Sequence, residues 1–203
     1  AFRYSAWKGE KVFAQAVFYA VEDMKNVQLQ VEDLVADEGV IPAAAVKAQF
    51  VKYVWADDFI EGYRQCGKRI RHEQDSLLVA DMVDIAPETD VAAGNCQPVW
   101  VTVDVPSDTP AGIYSGELKI KGTGLWSMTL PLQLQVVDEI LPEPEDWKFH
   151  LDLWQNPYSV ARFHGVELWS QEHFDYMRPV MQLLADAGQK VITATLNKDP
   201  WNH

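Results

Sequence analysis

Two stretches of strict period-two alternation constrain this chain more than any other feature. In 97–105, Val99, Val101, Val103 and Val105 fall on one side of an extended backbone, and Trp100, Thr102 and Asp104 fall on the other. In 128–136, Met128, Leu130, Leu132, Leu134 and Val136 alternate with Thr129, Pro131, Gln133 and Gln135. Successive strand side chains point to opposite faces, so this pattern buries one face and wets the other. A helix would scatter the same residues around its circumference. Similar alternation runs through 11–20, 25–34, 46–56 and 114–121. Half-buried strands separated by turn residues predict antiparallel sheets packed face to face.

The segment "VPSDTPAGIYSGELKI", 105–120, extends this reading. Pro106 and Pro110 cannot donate to a ladder, Gly112 suits a turn needing positive φ, and Tyr114, Gly116, Leu118 and Ile120 restart the alternation. Such spacing is frequent in immunoglobulin- and fibronectin-like sandwiches, so residues 1–140 are expected to form a mainly β, antiparallel β-sandwich of that kind. Tyr53, Trp55, Trp100 and Trp126 are expected in core or interdomain packing rather than on a sugar platform.

Charge narrows the partners. With 30 acidic against 17 basic residues the formal charge is −13, which repels a phosphate backbone and argues against nucleic acid. No apolar run approaches the roughly 20 residues of a spanning helix, so no membrane span is expected. Cys66 and Cys96 lack metal-ligand spacing and read as free buried thiols rather than a disulfide. His72, His150, His164 and His173 form no ligand set, and no phosphate-cradling glycine loop or nucleophile elbow occurs. No cofactor is expected. The chain opens on domain-like sequence at Ala1, without an initiator Met or signal peptide, and reads as a piece of something longer.

The period changes after the acidic, proline-stiffened segment "DEILPEPEDW", 138–147. Residues 141–146 are expected to be a linker and 147–203 a second unit. Lys148–Leu153 and Lys190–Thr195 read as short buried strands, with Asp152 a buried, hydrogen-bonded carboxylate. Between them lies a helix capped by Ser170, with a Trp169–Phe174 staple, a stripe of Phe174, Met177, Met181 and Leu184, and Gly188 at C′. Pro179 predicts a kink or a two-part helix. Strand, helix, strand is a βαβ unit, and one unit leaves sheet edges uncovered. It is expected to be the truncated start of a (β/α)8 barrel, which needs roughly 250 residues. The exposed faces are expected to be met by the remainder of the barrel or, in this piece alone, by docking on the sandwich together with self-association.

At this point the residues carry a resemblance. "HLDLWQNPYSVARFHGVELWSQEHF" and "RPVMQLLADAGQKVITATLNKDPWNH" resemble the start of the catalytic domain of glycoside hydrolase family 123. "AWKGEKVFAQAV", "VWADDFIEGYRQCG", "SLLVADMVD" and "QPVWVTVDVPSDTPAGIYSG" are similar to that family's N-terminal sandwich. The resemblance implies hydrolysis of β-linked N-acetylgalactosamine with retention, assisted by the substrate's own 2-acetamido group and by an adjacent Asp-Glu pair. It also implies a partner glycan ending in N-acetylhexosamine and a periplasmic, cell-surface or secreted location.

Two Asp-Glu dipeptides occur. Asp37-Glu38 lies in a turn and Asp138-Glu139 opens the acidic segment, so neither suits a strand end of a barrel. The catalytic pair is therefore expected beyond His203, and this chain alone is expected to be inactive. The loops after the two barrel strands supply substrate-binding candidates: Trp154 and Trp201 for stacking on a pyranose face, and Gln155, Asn156 and Asn197 for its hydroxyls. Arg162 is expected to pair with an acidic neighbour. The competing reading is a non-catalytic sandwich that binds glycan or supports a neighbouring domain.

Overall fold

A computed structural model describes residues 2–57, 76–123 and 127–192 of the chain. The chain divides into two compact units, Ala1–Leu141 and Pro142–His203.

The first unit is built from strands. In order they are β1 (Phe2–Lys8), β2 (Lys11–Tyr19), β3 (Met24–Val31), β4 (Leu34–Val35), β5 (Val40–Ile41), β6 (Val46–Asp57), β7 (Ser76–Val83), β8 (Glu88–Val91), β9 (Cys96–Asp104), β10 (Gly112–Lys121) and β11 (Ser127–Ile140). One sheet runs β1-β11-β10-β3-β8, with β4 also beside β10 and β5 beside β4; the other runs β2-β9-β6-β7. Each of the six alternating segments is a strand. The apolar side of each sheet supplies one shared core: Phe18, Phe50, Val99 and Val101 from one, and Val27, Tyr114, Leu118, Ile120 and Leu134 from the other. The unit is mainly β.

Three local expectations need correction. The ladders are not all antiparallel, because β1 runs parallel to β11, from Phe2 opposite Leu132 to Ala6 opposite Val136. A tight turn at Gly9 (φ 79°) then carries the chain into the other sheet, so β1 and β2 are not a hairpin within one sheet. Gly112 is not in the left-handed region. It opens β10 opposite Val136, while the preceding turn closes through the Thr109 N–H bond to the Pro106 carbonyl at 3.1 Å. Asp138 and Glu139 belong to β11 rather than to a connector, and Asp138 pairs with Lys8 at 2.5 Å.

Close approach explains the glycines that matter here. Tyr114 is fully buried and its hydroxyl donates to the Pro110 carbonyl at 2.8 Å. Burial raises its phenol above the ordinary tyrosine range. A Cβ on Gly39 would stand 2.5 Å from that hydroxyl, so the β4–β5 turn can cross the ring only as glycine.

The aromatic expectation holds in part. Tyr53 is half-buried and donates to the Cys96 carbonyl at 2.8 Å. Trp100 instead lies partly exposed, stacked on the exposed Phe13 ring with centroids 4.9 Å apart, and Trp55 is 71% exposed. Cys96 is a free thiol but exposed rather than buried, because it sits at the first position of β9. Cys66, His72 and Trp126 lie outside the described residues.

The second unit departs further from expectation. Among the described residues it contains two α-helices, α1 (Pro157–His164) and α2 (Gln171–Asp186), preceded by a 3-10 turn at Pro144–Asp146. Residues 148–153 are not a strand, nor are 190–192, and 193–195 lie outside the described residues. A strand needs a neighbour for its backbone groups, and among the described residues none runs beside 148–153. Asp152 is accordingly exposed rather than buried. α2 continues unbroken through Pro179, so it is one helix and not two.

Candidate functional site

The candidate substrate residues lie where the irregular segment 148–156 runs into α1. Asn156 is the N-cap of α1: its side chain accepts from the Ser159 N–H at 3.4 Å, with Pro157 at the first helical position. Proline fits there because its missing N–H would be unsatisfied anyway. Gly165 (φ 67°) ends the helix, with the Val166 N–H bonded to the Ala161 carbonyl at 3.0 Å. Asn-Pro at one end and glycine at the other are helix boundary signals. They are legible in "NPYSVARFHG", a stretch that a strand-then-loop reading takes for loop.

Just before the cap, Trp154 is 67% exposed. The Gln155 side-chain amide donates to the Leu153 carbonyl at 3.0 Å. Gln189 meets the same residue from the far end of α2. Its Oε1 accepts from the Leu153 N–H at 3.0 Å, and its Nε2 donates to the Leu153 carbonyl at 3.3 Å and to the Val191 carbonyl at 2.8 Å. One side-chain amide thus takes both backbone groups of Leu153, as a neighbouring strand would.

The two helices are locked by a buried histidine. Ser170 caps α2, accepting from the His173 N–H at 3.1 Å. The Nδ1 of His173 accepts from the Trp169 N–H at 3.0 Å, which leaves Nε2–H to donate to the Pro157 carbonyl at 2.9 Å. The partners therefore select the neutral Nε2–H tautomer. Trp169 and Phe174 pack as the expected staple, 6.3 Å between centroids, and His164 stacks on Tyr176 at 3.8 Å.

Gln155, Asn156, Pro157 and Val160 face Met177, Val180 and Met181 across a pocket of about 20 Å³. That holds one water and not a sugar ring. The lining contains no titratable side chain. Chemically the lining offers amide groups and apolar side chains, and the exposed Trp154 indole stands beside it in sequence. No metal-holding cluster occurs among the described residues. Asp37 and Glu38 lie in the β4–β5 turn of the first unit. Asn197 and Trp201 lie outside the described residues.

A glycoside hydrolase 123 N-terminal domain model matches residues 1–122, and a glycoside hydrolase 123 catalytic domain model matches 154–203. The chain belongs to glycoside hydrolase family 123. A family 123 glycoside hydrolase from Clostridium perfringens, studied for glycolipid glycan hydrolysis, matches with a TM-score of 0.86 at 21% identity. That likeness covers 100% of this chain and 34% of that one, so the chain spans about a third of that enzyme's length. Weaker likenesses carry no argument. One is to the periplasmic chaperone SfaE (TM-score 0.35, 9% identity, 70% of this chain and 57% of that one). Another is to PapD-like domain 7 of human CEP192 (0.31, 12%, 70% and 84%). No curated protein matches. The family 123 catalytic match begins at Trp154, the first residue of the candidate rim.

Proposed function

We propose that this chain is the N-terminal part of a retaining β-N-acetylgalactosaminidase acting on glycans or glycolipids. The carrying observation is the ordered pair of family 123 matches, N-terminal domain then catalytic domain. In this reading the first unit is an immunoglobulin- or fibronectin-like sandwich. The second is the opening of a (β/α)8 barrel, in which 148–153 and 190–195 become strands once further strands flank them, with Leu153, the last residue of the first, still held at the strand end by Gln189. The exposed Phe149, Leu183 and Ile192 are then covered by the remainder of the barrel, or by a second copy when that is lacking.

The reaction is substrate-assisted. The carbonyl oxygen of the 2-acetamido group attacks the anomeric carbon as the glycosidic C–O bond breaks, giving an oxazolinium-like intermediate. A Glu carboxylic acid donates its proton to the leaving oxygen, and the adjacent Asp orients the acetamido group. Water then opens the intermediate with net retention, returning its proton to the Glu. That pair is assigned beyond His203. This chain contributes the rim: Trp154 and Trp201 stack on the sugar, while Gln155, Asn156 and Asn197 bond its hydroxyls. No cofactor takes part, the partner is a glycan ending in N-acetylhexosamine, and the setting is periplasmic, cell-surface or secreted.

A second reading, a non-catalytic carbohydrate-binding or supporting sandwich, is favoured by the surface-lying Phe13–Trp100 stack and the exposed Trp55. A chromogenic β-N-acetylgalactosaminide separates the two. The full-length enzyme is expected to turn it over, with Trp154→Ala raising KM about tenfold through lost stacking. The 203-residue chain is expected to give no more than a buffer blank. An inert full-length protein, or turnover by the short chain that survives repurification, overturns the proposal.

A further inference from the structure

We infer that Gln189 is a positioning residue for the substrate rim. This rests on the reading of Trp154 and Gln155 as sugar contacts. Three consecutive residues after α2 grip the segment that leads to them. Gly188 lies under the Trp147 ring, where a Cβ would come 2.5 Å from Cε3. Lys190 donates to the Trp147 carbonyl at 2.8 Å and also to the Glu145 carbonyl. Gln189, between them, takes the N–H and the carbonyl of Leu153. The segment is thus held at its start by Lys190 and at its end by Gln189.

The end held by Gln189 is the functional one. The Leu153 carbonyl belongs to the same peptide unit as the Trp154 N–H, so fixing it sets the plane from which the indole projects. The Gln155 amide bonds that same carbonyl, so one acceptor collects an amide from the rim and an amide from just beyond α2. Gln189 is itself well anchored. Its backbone N–H closes the α2 terminus on the Leu184 carbonyl at 2.9 Å, and its Nε2 also bonds the Val191 carbonyl. A neutral amide suits the position because it must donate and accept at once. Glutamate would face two carbonyl oxygens with acceptors only.

Two variants test the role. In the full-length enzyme, Gln189→Leu and Gln189→Glu are expected to raise KM about tenfold while kcat stays within about threefold, the signature of lost substrate binding. In the 203-residue chain, NMR is expected to show the Leu153 amide exchanging at least about fivefold faster in Gln189→Leu, from one lost hydrogen bond. The Trp154 indole N–H resonance should shift, with α2 amide protection unchanged. Unmoved Leu153 and Trp154 signals overturn the inference, as does an unchanged KM once those signals have moved. Collapse of α2 protection in both variants overturns it too, since the residue would then be structural. If the wild-type full-length enzyme fails on the glycoside, the proposed function falls instead, and the NMR readout decides the positioning role alone.

Discussion

Gly188 carries two constraints that a single-residue change separates from the rest of the unit. Its φ of 84° lies in the left-handed region, and the Trp147 ring occupies the space a side chain would take. Gly188→Ala is therefore expected to cost about 1–3 kcal/mol, combining backbone strain with displacement of the indole. Chemical unfolding followed by tryptophan fluorescence checks it; a cost near zero would mean that Trp147 swings away freely. The left-handed backbone was legible, since a glycine after an amphipathic stripe is a C′ signal. The ring was not, because Trp147 is 41 positions upstream and nothing local in the sequence points one at the other. Gln189 and His173 were missed for the same reason: each bonds backbone groups, which have no side-chain identity to read.

Among elements, α2 shows how far local signals reach. Its cap, its staple and its terminating glycine are all short-range features, and each is where the residues predict it. The Gln189 and Gly188 N–H groups bond the Leu184 and Ala185 carbonyls, both at 2.9 Å, completing a Schellman end. What α2 packs against was not legible. His173, fully buried, ties its first turn to α1 through the Pro157 carbonyl. Ser170→Ala is expected to lower the opening free energy of α2 amides by about 1 kcal/mol. His173→Ala should lower it by about 2–6 kcal/mol, because two backbone groups lose partners at about 1–3 each. Native-state hydrogen exchange reads both. Equal effects would show that the helix–helix bridge adds nothing to the cap.

At the scale of the whole molecule, the acid limb of stability involves three surface carboxylates among the described residues. Hydrogen bonding to the Lys25 ammonium, then to the Asn26 N–H, holds the Asp90 carboxyl below its ordinary range. Lys8 does the same for Asp138, and Gln171 then Arg178 for Asp175. Groups whose folded pKa is depressed contribute stability fully above their unfolded value of about 3.9 and lose it as pH falls through the folded one. The melting temperature is therefore expected to hold from neutrality to about pH 5 and to decline below about pH 4. Asp138→Asn should melt lower at neutral pH and show a shallower acid limb. Parallel acid limbs in the variant and the parent would dismiss the Lys8–Asp138 contribution. These pairs are exposed and screened, so the effect is modest.

The sequence by itself determined the strands whose faces alternate, the helix with its caps, and membership of a family whose motifs are contiguous. Those properties are set within a few residues, by side-chain direction and by caps that act on adjacent turns. Only the tertiary structure decided that β1 runs parallel to β11, which strands share a sheet, and that 148–153 is not a strand. A backbone extends into a ladder only where another strand arrives to satisfy its N–H and carbonyl groups. That arrival depends on residues far along the chain. The Gln189 amide standing in for such a neighbour at Leu153 is the same requirement met by a side chain.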